Sequence, residues 1–124
     1  MSELPPSVVI LSSRIAPDEL RRLVQDGFGE MVKFVADVER GVIGIGGELH
    51  ADAEQALLDD GSRPEHLWGA NYYPGRGRDG CIEFTSFVNV RPARGNPGME
   101  IADSGVRERV RELALELIGE GGPL

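Results

Sequence analysis

Hydrophobic and polar positions along the chain change period several times, and each change marks an element. Ser7 to Ser13 is a short β-branched run between a proline pair and polar residues, the pattern of a buried strand. Pro17-Asp18-Glu19 then opens a helix, with proline early and acids in the first turn, where the helix dipole favours them. Leu20, Leu23 and Val24 give that helix an apolar stripe, and Gly27 ends it. From Met31 to Val38 the period falls to two, with Val32, Phe34, Ala36 and Val38 on one face and Lys33 and Asp37 on the other. Glu39-Arg40-Gly41 supplies a turn, and Val42 to Gly46 returns as the second arm of a β-hairpin.

Beyond Gly46-Gly47 a short helix is expected over Asp52 to Asp60, with Ala53, Ala56 and Leu57 inward and Gly61 as its stop. Ser62-Arg63-Pro64-Glu65 fits a capping box, with room for about one turn after it. Leu67 to Tyr73 reads as strand, and Pro74 to Gly80 as a mobile loop. Cys81 to Arg91 gives the clearest alternation in the chain. Ile82, Phe84, Val88 and Val90 fall on one face; Glu83, Thr85, Phe87, Asn89 and Arg91 fall on the other. Pro92 to Ala102 is irregular, and a last helix over about Ser104 to Ile118 carries Val106, Val110, Leu113, Ala114, Leu117 and Ile118 on one stripe. Residues 1–6 and 119–124 are expected to be frayed ends.

The order is therefore β-α-β-β-α-β-β-α. Two hairpin-like pairs favour an antiparallel or mixed sheet of about five strands with three helices packed on it, a single α+β domain over 1–124. At 124 residues the chain is large enough for one real core, and 40% hydrophobic with 27% charged residues is the balance of a folded chain rather than a disordered one. No apolar run approaches the length of a bilayer span, and the first six residues lack the charge and apolar pattern of a signal peptide, so a cytoplasmic location is expected.

A net charge of −8 argues against a nucleic-acid partner, whose phosphates need clustered Lys and Arg. It favours a basic protein partner or self-association instead. The single cysteine, Cys81, excludes an intrachain disulfide and a cysteine zinc cage.

Three separated stretches also carry a resemblance. Gly46-Gly47-Glu48-Leu49-His50-Ala51-Asp52, Leu67 to Pro74, and Ile82 to Ser86 followed by Asn89-Val90-Arg91-Pro92 and Gly95-Asn96 resemble a family of small bacterial and archaeal proteins catalogued only as a domain of unknown function. The resemblance spans most of the chain and implies relatives without implying an activity.

Two neighbourhoods could carry chemistry. The first follows the double glycine: Glu48, His50, Asp52 and Glu54. In an extended segment Glu48, His50 and Asp52 point one way and could hold a divalent metal; in a helix His50 and Glu54 share a face while Asp52 turns away. The bland reading, that Asp52 and Glu54 serve the helix dipole and His50 a backbone carbonyl, is the stronger. The second is the polar face of 81–91, where Glu83, Thr85, Asn89 and Arg91 recur, broken only by Phe87: a solvated outer sheet face is the default reading, and a groove in which Arg91 could grip an anion is the other. Trp68, Asn71, Tyr72 and Tyr73 read first as core, and second as a pocket wall.

The sequence thus favours a non-catalytic binding or interaction domain for a protein partner or a small polar ligand, bound by Gly46, Gly47, Glu48, His50, Trp68, Asn71, Glu83, Asn89 and Arg91. The alternative is a metal-dependent hydrolase, the one reading that implies a cofactor: a divalent ion on Glu48, His50 and Asp52, with Glu83 or Glu54 as general base and Arg91 steadying negative charge. Both depend on residues 48–52 lying against the polar side of 81–91.

Overall fold

The computed structural model describes residues 8–124. Of the expected frayed ends, 1–6 lies outside that range. Five strands form one antiparallel sheet: β1 (Val8–Leu11), β2 (Val32–Asp37), β3 (Val42–Gly46), β4 (Leu67–Tyr72) and β5 (Ile82–Glu83), in the spatial order β1-β3-β2-β4-β5. Three helices pack on it, α1 (Pro17–Asp26), α2 (His50–Asp59) and α3 (Ser104–Leu117). The expected α+β class and element order hold.

Period-two alternation on β2 decides the layers. Phe34 and Ala36 point to one face with Ile43 and Ile45 of β3 and Ala70 and Tyr72 of β4, and α1 and α3 cover them with Leu20, Leu23, Val24, Val110, Leu113 and Leu117. Fully burying a side chain such as Phe34 or Ile43 contributes about 1.5–3 kcal/mol, which makes this the main core. Val35, Val42 and Leu67 point to the opposite face, where Ala53 and Leu57 of α2 close a smaller core. Lys33, Asn71 and Glu83 lie on this second side by register, since Lys33 pairs with Asn71 and Asn71 with Glu83.

The hairpin of β2 and β3 turns on a buried carboxylate. Asp37 Oδ1 accepts hydrogen bonds from the backbone N–H groups of Glu39 (3.0 Å) and Arg40 (2.9 Å), so the turn is held from inside. Ser62 does not form the expected capping box; its hydroxyl accepts from Arg40 Nη1 at 2.7 Å, and Pro64–His66 is a single 3-10 turn.

The largest departure from the sequence reading is at 81–91. The strand stops at Glu83, and Ser86 caps a 3-10 turn over Phe87–Asn89 by accepting a hydrogen bond from Val88 N–H. The chain is turned there by Gly69: a Cβ on that residue would lie 2.6 Å from the Cβ and Oγ of Ser86 and 2.8 Å from Val88 Cγ2. Only glycine lets the segment cross so close to β4. Val88 consequently joins the α2-side core, while Val90 and Phe87 face solvent, Phe87 at 79% exposure. The single polar strand face proposed for Glu83, Asn89 and Arg91 therefore does not exist.

The C-terminal segment also differs from the frayed tail expected. Gly121 N–H donates to the Tyr72 hydroxyl at 2.8 Å, and Gly121 O accepts from Gly75 N–H (3.0 Å) and Gly77 N–H (2.9 Å). Tail and 74–80 loop are thus tied to each other and to the end of β4. Among the described residues no helix is long and apolar enough to cross a membrane.

Candidate functional site

The Gly46-Gly47 turn places the start of α2. Both glycines adopt positive φ, at 104° and 85°, a region costly for other residues. Asp52, in the first turn of α2, reaches back so that Oδ2 accepts from Glu48 N–H (3.0 Å) and Leu49 N–H (2.9 Å). It thereby satisfies donors that a helix start leaves without partners. Helix α2 begins at His50, two residues earlier than the spacing of apolar residues indicated, because this back-bond organises the turn before it.

His50 is thereby set on the first turn of α2, facing the sheet. Its Nε2 lies 2.9 Å from Ala70 O. A carbonyl oxygen only accepts, so Nε2 carries the proton and, in the neutral ring, Nδ1 is left as an acceptor. Burial lowers the pKa of His50 most; its hydrogen bond to Ala70 opposes that, the charge of Lys33 lowers it further, and Asn71 and Glu83 oppose. The net direction is downward, which keeps the ring neutral near pH 7.

Opposite the ring, Glu83 Oε1 accepts from Asn71 Nδ2 at 2.8 Å and from the Tyr73 hydroxyl at 3.2 Å. Among the described residues Glu83 Oε2 accepts no hydrogen bond, and neither does His50 Nδ1. Asn71 is buried, and its Oδ1 has no partner. The Arg76 guanidinium stacks on the Tyr73 ring at 3.8 Å, and burial followed by the Glu83 charge pushes the Tyr73 hydroxyl above its usual pKa. Lys33, the cross-strand neighbour of Asn71, sits with its ammonium 5.1 Å from the Phe28 ring. The result is a cluster of fixed polar groups at the sheet end of α2, with a neutral imidazole and a carboxylate held by their neighbours.

The other sequence candidates take different places. Gly46 and Gly47 shape the entry to α2 and Glu48 is exposed. Asp52 is engaged with the backbone, so Glu48, His50 and Asp52 do not close on a common point. Among the described residues no group of three or more His, Cys, Asp or Glu side chains is arranged to hold a metal ion. Asn89 is fully buried and bonds Gly69 N–H, Gly69 O and Met99 O, a structural duty. Arg91 donates to Leu67 O and stacks on Trp68 at 4.7 Å. Its Nη1 is buried without a partner; burial pulls its pKa down, and Glu54 of α2 opposes this. Thus His50 meets Asn71 and Glu83, whereas Glu54 faces Arg91 one turn further along α2.

Sequence reasoning missed one member, Lys33, and read Tyr73 first as core and only second as a pocket wall. Both were legible: Lys33 lies on the same side of its strand as Val35 and Asp37, and Tyr73 lies two residues beyond Asn71, hence on its side of the chain.

No curated protein and no solved structure matches the chain. A family model described as "Protein of unknown function (DUF5674)" matches residues 9–117, and the chain belongs to that family.

Proposed function

We propose that the protein is a non-catalytic binding domain that takes a small polar ligand at the His50–Asn71–Glu83 cluster. One observation carries this reading: His50 and Glu83 are each fixed on one side by hydrogen bonds, which leaves Nδ1 and Oε2 as acceptors whose positions are set before any ligand arrives. Groups held in this way lose little freedom on binding, so hydrogen bonds to them count nearly in full.

The chemistry of the cluster points to the ligand class. A carboxylate and an imidazole acceptor suit an amine or amide donor, and Lys33 beside them suits an anionic group. A small molecule with both, such as a free amino acid, matches the pattern. Nothing in the cluster supplies a paired acid and base already hydrogen-bonded to each other, and the metal reading lacks converging ligands, so binding is favoured over hydrolysis.

A thermal-shift series with free amino acids and simple amines tests this. At a concentration of about 100 Kd, binding confined to the folded state stabilises by about 2.7 kcal/mol, enough to raise the melting temperature by several degrees. Glu83→Gln retains a carbonyl oxygen for Asn71 and Tyr73 but removes the charge, and it is expected to abolish the shift while leaving the unliganded protein folded. A shift that survives in both Glu83→Gln and His50→Ala places the ligand elsewhere and overturns the assignment.

A further inference from the structure

We propose that a cavity between Phe84 and the first turns of α3 is an anion site, in which Arg107 and Arg111 hold a phosphoryl group, free or in a small monoester. The inference is independent of the His50 cluster. Phe84 and α3 belong to the main-core face of the sheet, and α2 with His50 to the other.

The floor of the cavity is fixed by backbone bonds. Phe84 is buried, and its carbonyl accepts from Ile101 N–H at 3.1 Å. Ala102 N–H donates to Asn96 Oδ1 at 2.8 Å, and Asp103 caps α3 by accepting from Val106 N–H at 2.9 Å. These bonds hold Phe84, Ala102 and Ser104 around a space of about 250 Å³, which Arg107, Glu108 and Arg111 complete.

Arg107 and Arg111 stand one turn apart on α3, and both guanidiniums lie over one ring, at 5.0 and 5.6 Å from the Phe84 centroid. Like charges at this spacing repel each other. The ring face offsets part of that repulsion. No carboxylate offsets the rest, because among the described residues neither arginine forms an ion pair. Partners are within reach in the sequence. Glu108 lines the cavity three residues before Arg111 and stays unpaired with it, whereas Arg109 on the same helix pairs with Glu112 at that spacing, at 3.8 Å. Stacking uses the face of a guanidinium and leaves its N–H donors free at the edge. Among the described residues only Arg111 Nη1 of the two is engaged, with Arg78 O at 3.4 Å.

Two forked donors and the Ser104 hydroxyl match a tetrahedral oxyanion. A phosphate monoester carries about −1.5 to −2 charge at pH 7 on three acceptor oxygens, enough for both cations, whereas a carboxylate matches only one of them. The space is below the ~300 Å³ of pockets that enclose a whole small ligand, so it takes the phosphoryl group and leaves the body outside. That body meets the adjoining groove, which shares Glu108 and Arg111 and is lined also by Glu112 and Glu116. These acids and the net charge of −8 disfavour a second anionic group, so a monoester with a neutral or amine-bearing body is favoured over a polyphosphate.

The test is a titration of the labelled chain, followed by its amide and arginine Nε–H signals, with inorganic phosphate, O-phosphoethanolamine and acetate at matched ionic strength. Saturable shifts at Arg107, Arg111 and residues 102–105 are expected with both phosphates and not with acetate. Tighter binding of the ester marks an ester as the source of the group; equal binding marks the free anion. Arg107→Gln is expected to weaken binding about tenfold or more, and Arg107→Lys to fall between, since a point charge replaces the fork. Circular dichroism checks that the variants stay folded. No saturable shift with either phosphate up to about 50 mM overturns the proposal. So do shifts that acetate reproduces, and so does an affinity unchanged in both Arg107→Gln and Arg111→Gln, which reduces the two arginines to a cover for Phe84.

Discussion

The Asn89 side chain stands in for a strand: its Oδ1 accepts from Gly69 N–H at 2.8 Å and its Nδ2 donates to Gly69 O at 2.9 Å. A carboxamide carries one acceptor and two donors in the spacing of a peptide group, so it continues the ladder of β4 where β5 has ended. The second Nδ2 hydrogen bonds Met99 O at 3.0 Å, which ties in the irregular stretch beyond. Asn96 extends the same device, donating to Asn89 O, Gly98 O and Glu100 O while accepting from Ala102 N–H. Two buried amides thus replace a longer strand.

Removing that device should be costly. Asn89→Ala leaves Gly69 N–H and O buried without partners, and a loss of about 2–4 kcal/mol is expected in urea unfolding. Asn89→Asp keeps an acceptor for Gly69 N–H but loses both donors, and should fall in the same range. A loss below about 0.5 kcal/mol for either, the level of an ordinary surface change, would show that the amide does not hold this edge.

Gly69→Ala tests the same contact from the other side. A Cβ 2.6 Å from Ser86 must displace the 84–90 segment, so the expected outcome is a loss of about 1–3 kcal/mol, as for overpacking. Chemical-shift changes in amide spectra should centre on Ser86 to Asn89. Changes confined to β4 would contradict the packing described.

Asp52→Ala is expected to destabilise by about 1–2 kcal/mol, because Glu48 N–H and Leu49 N–H lose their acceptor at the start of α2. Asp52→Asn, which retains a carbonyl oxygen, should recover much of this. A larger effect of both variants on retention of a divalent ion than on stability would instead revive the metal reading.

His50 gives the pH dependence. Its folded-state pKa lies below its unfolded value of about 6.5, so the unfolded chain takes up the proton first as the pH falls. The contribution of His50 to stability is therefore complete above about pH 6.5 and declines from there down to the folded-state pKa, below which it changes no further. Burial of the ring sets that lower limit; the hydrogen bond to Ala70 opposes it, Lys33 adds to it, and Asn71 and Glu83 oppose it. The stability of His50→Gln should lack this decline; equal slopes in the variant and wild type as the pH falls below about 6.5 would remove His50 as its source.

Much of the fold was legible because periodicity and punctuation agreed. Val32 to Val38 alternated, Leu20, Leu23 and Val24 recurred at helical spacing, and glycine closed α1. The segment 81–91 misled because alternation records only which residues are apolar. Ile82 and Phe84 are buried in the main core, Val88 is drawn to the opposite one, and Val90 is left outside, yet all four fit one strand on paper. Nor does a sequence distinguish a solvated Asn from one that serves as backbone, so Asn89 was read as a ligand group. Within the site, the approach of His50 to Asn71 and Glu83 followed from placing the residues after Gly47 against the sheet. The separation of Asn89 and Arg91 from them did not, because it depends on the turn that Gly69 permits.

The most direct test of the ligand cluster is a two-dimensional amide spectrum of labelled protein, including the Asn side-chain amides, titrated with free amino acids. Saturable shifts centred on His50, on the Asn71 Nδ2 group and on Glu83 are expected for at least one of them, and they should vanish in Glu83→Gln. Titrations that leave those three positions unmoved while shifting residues on another surface, or shifting none, would contradict the account.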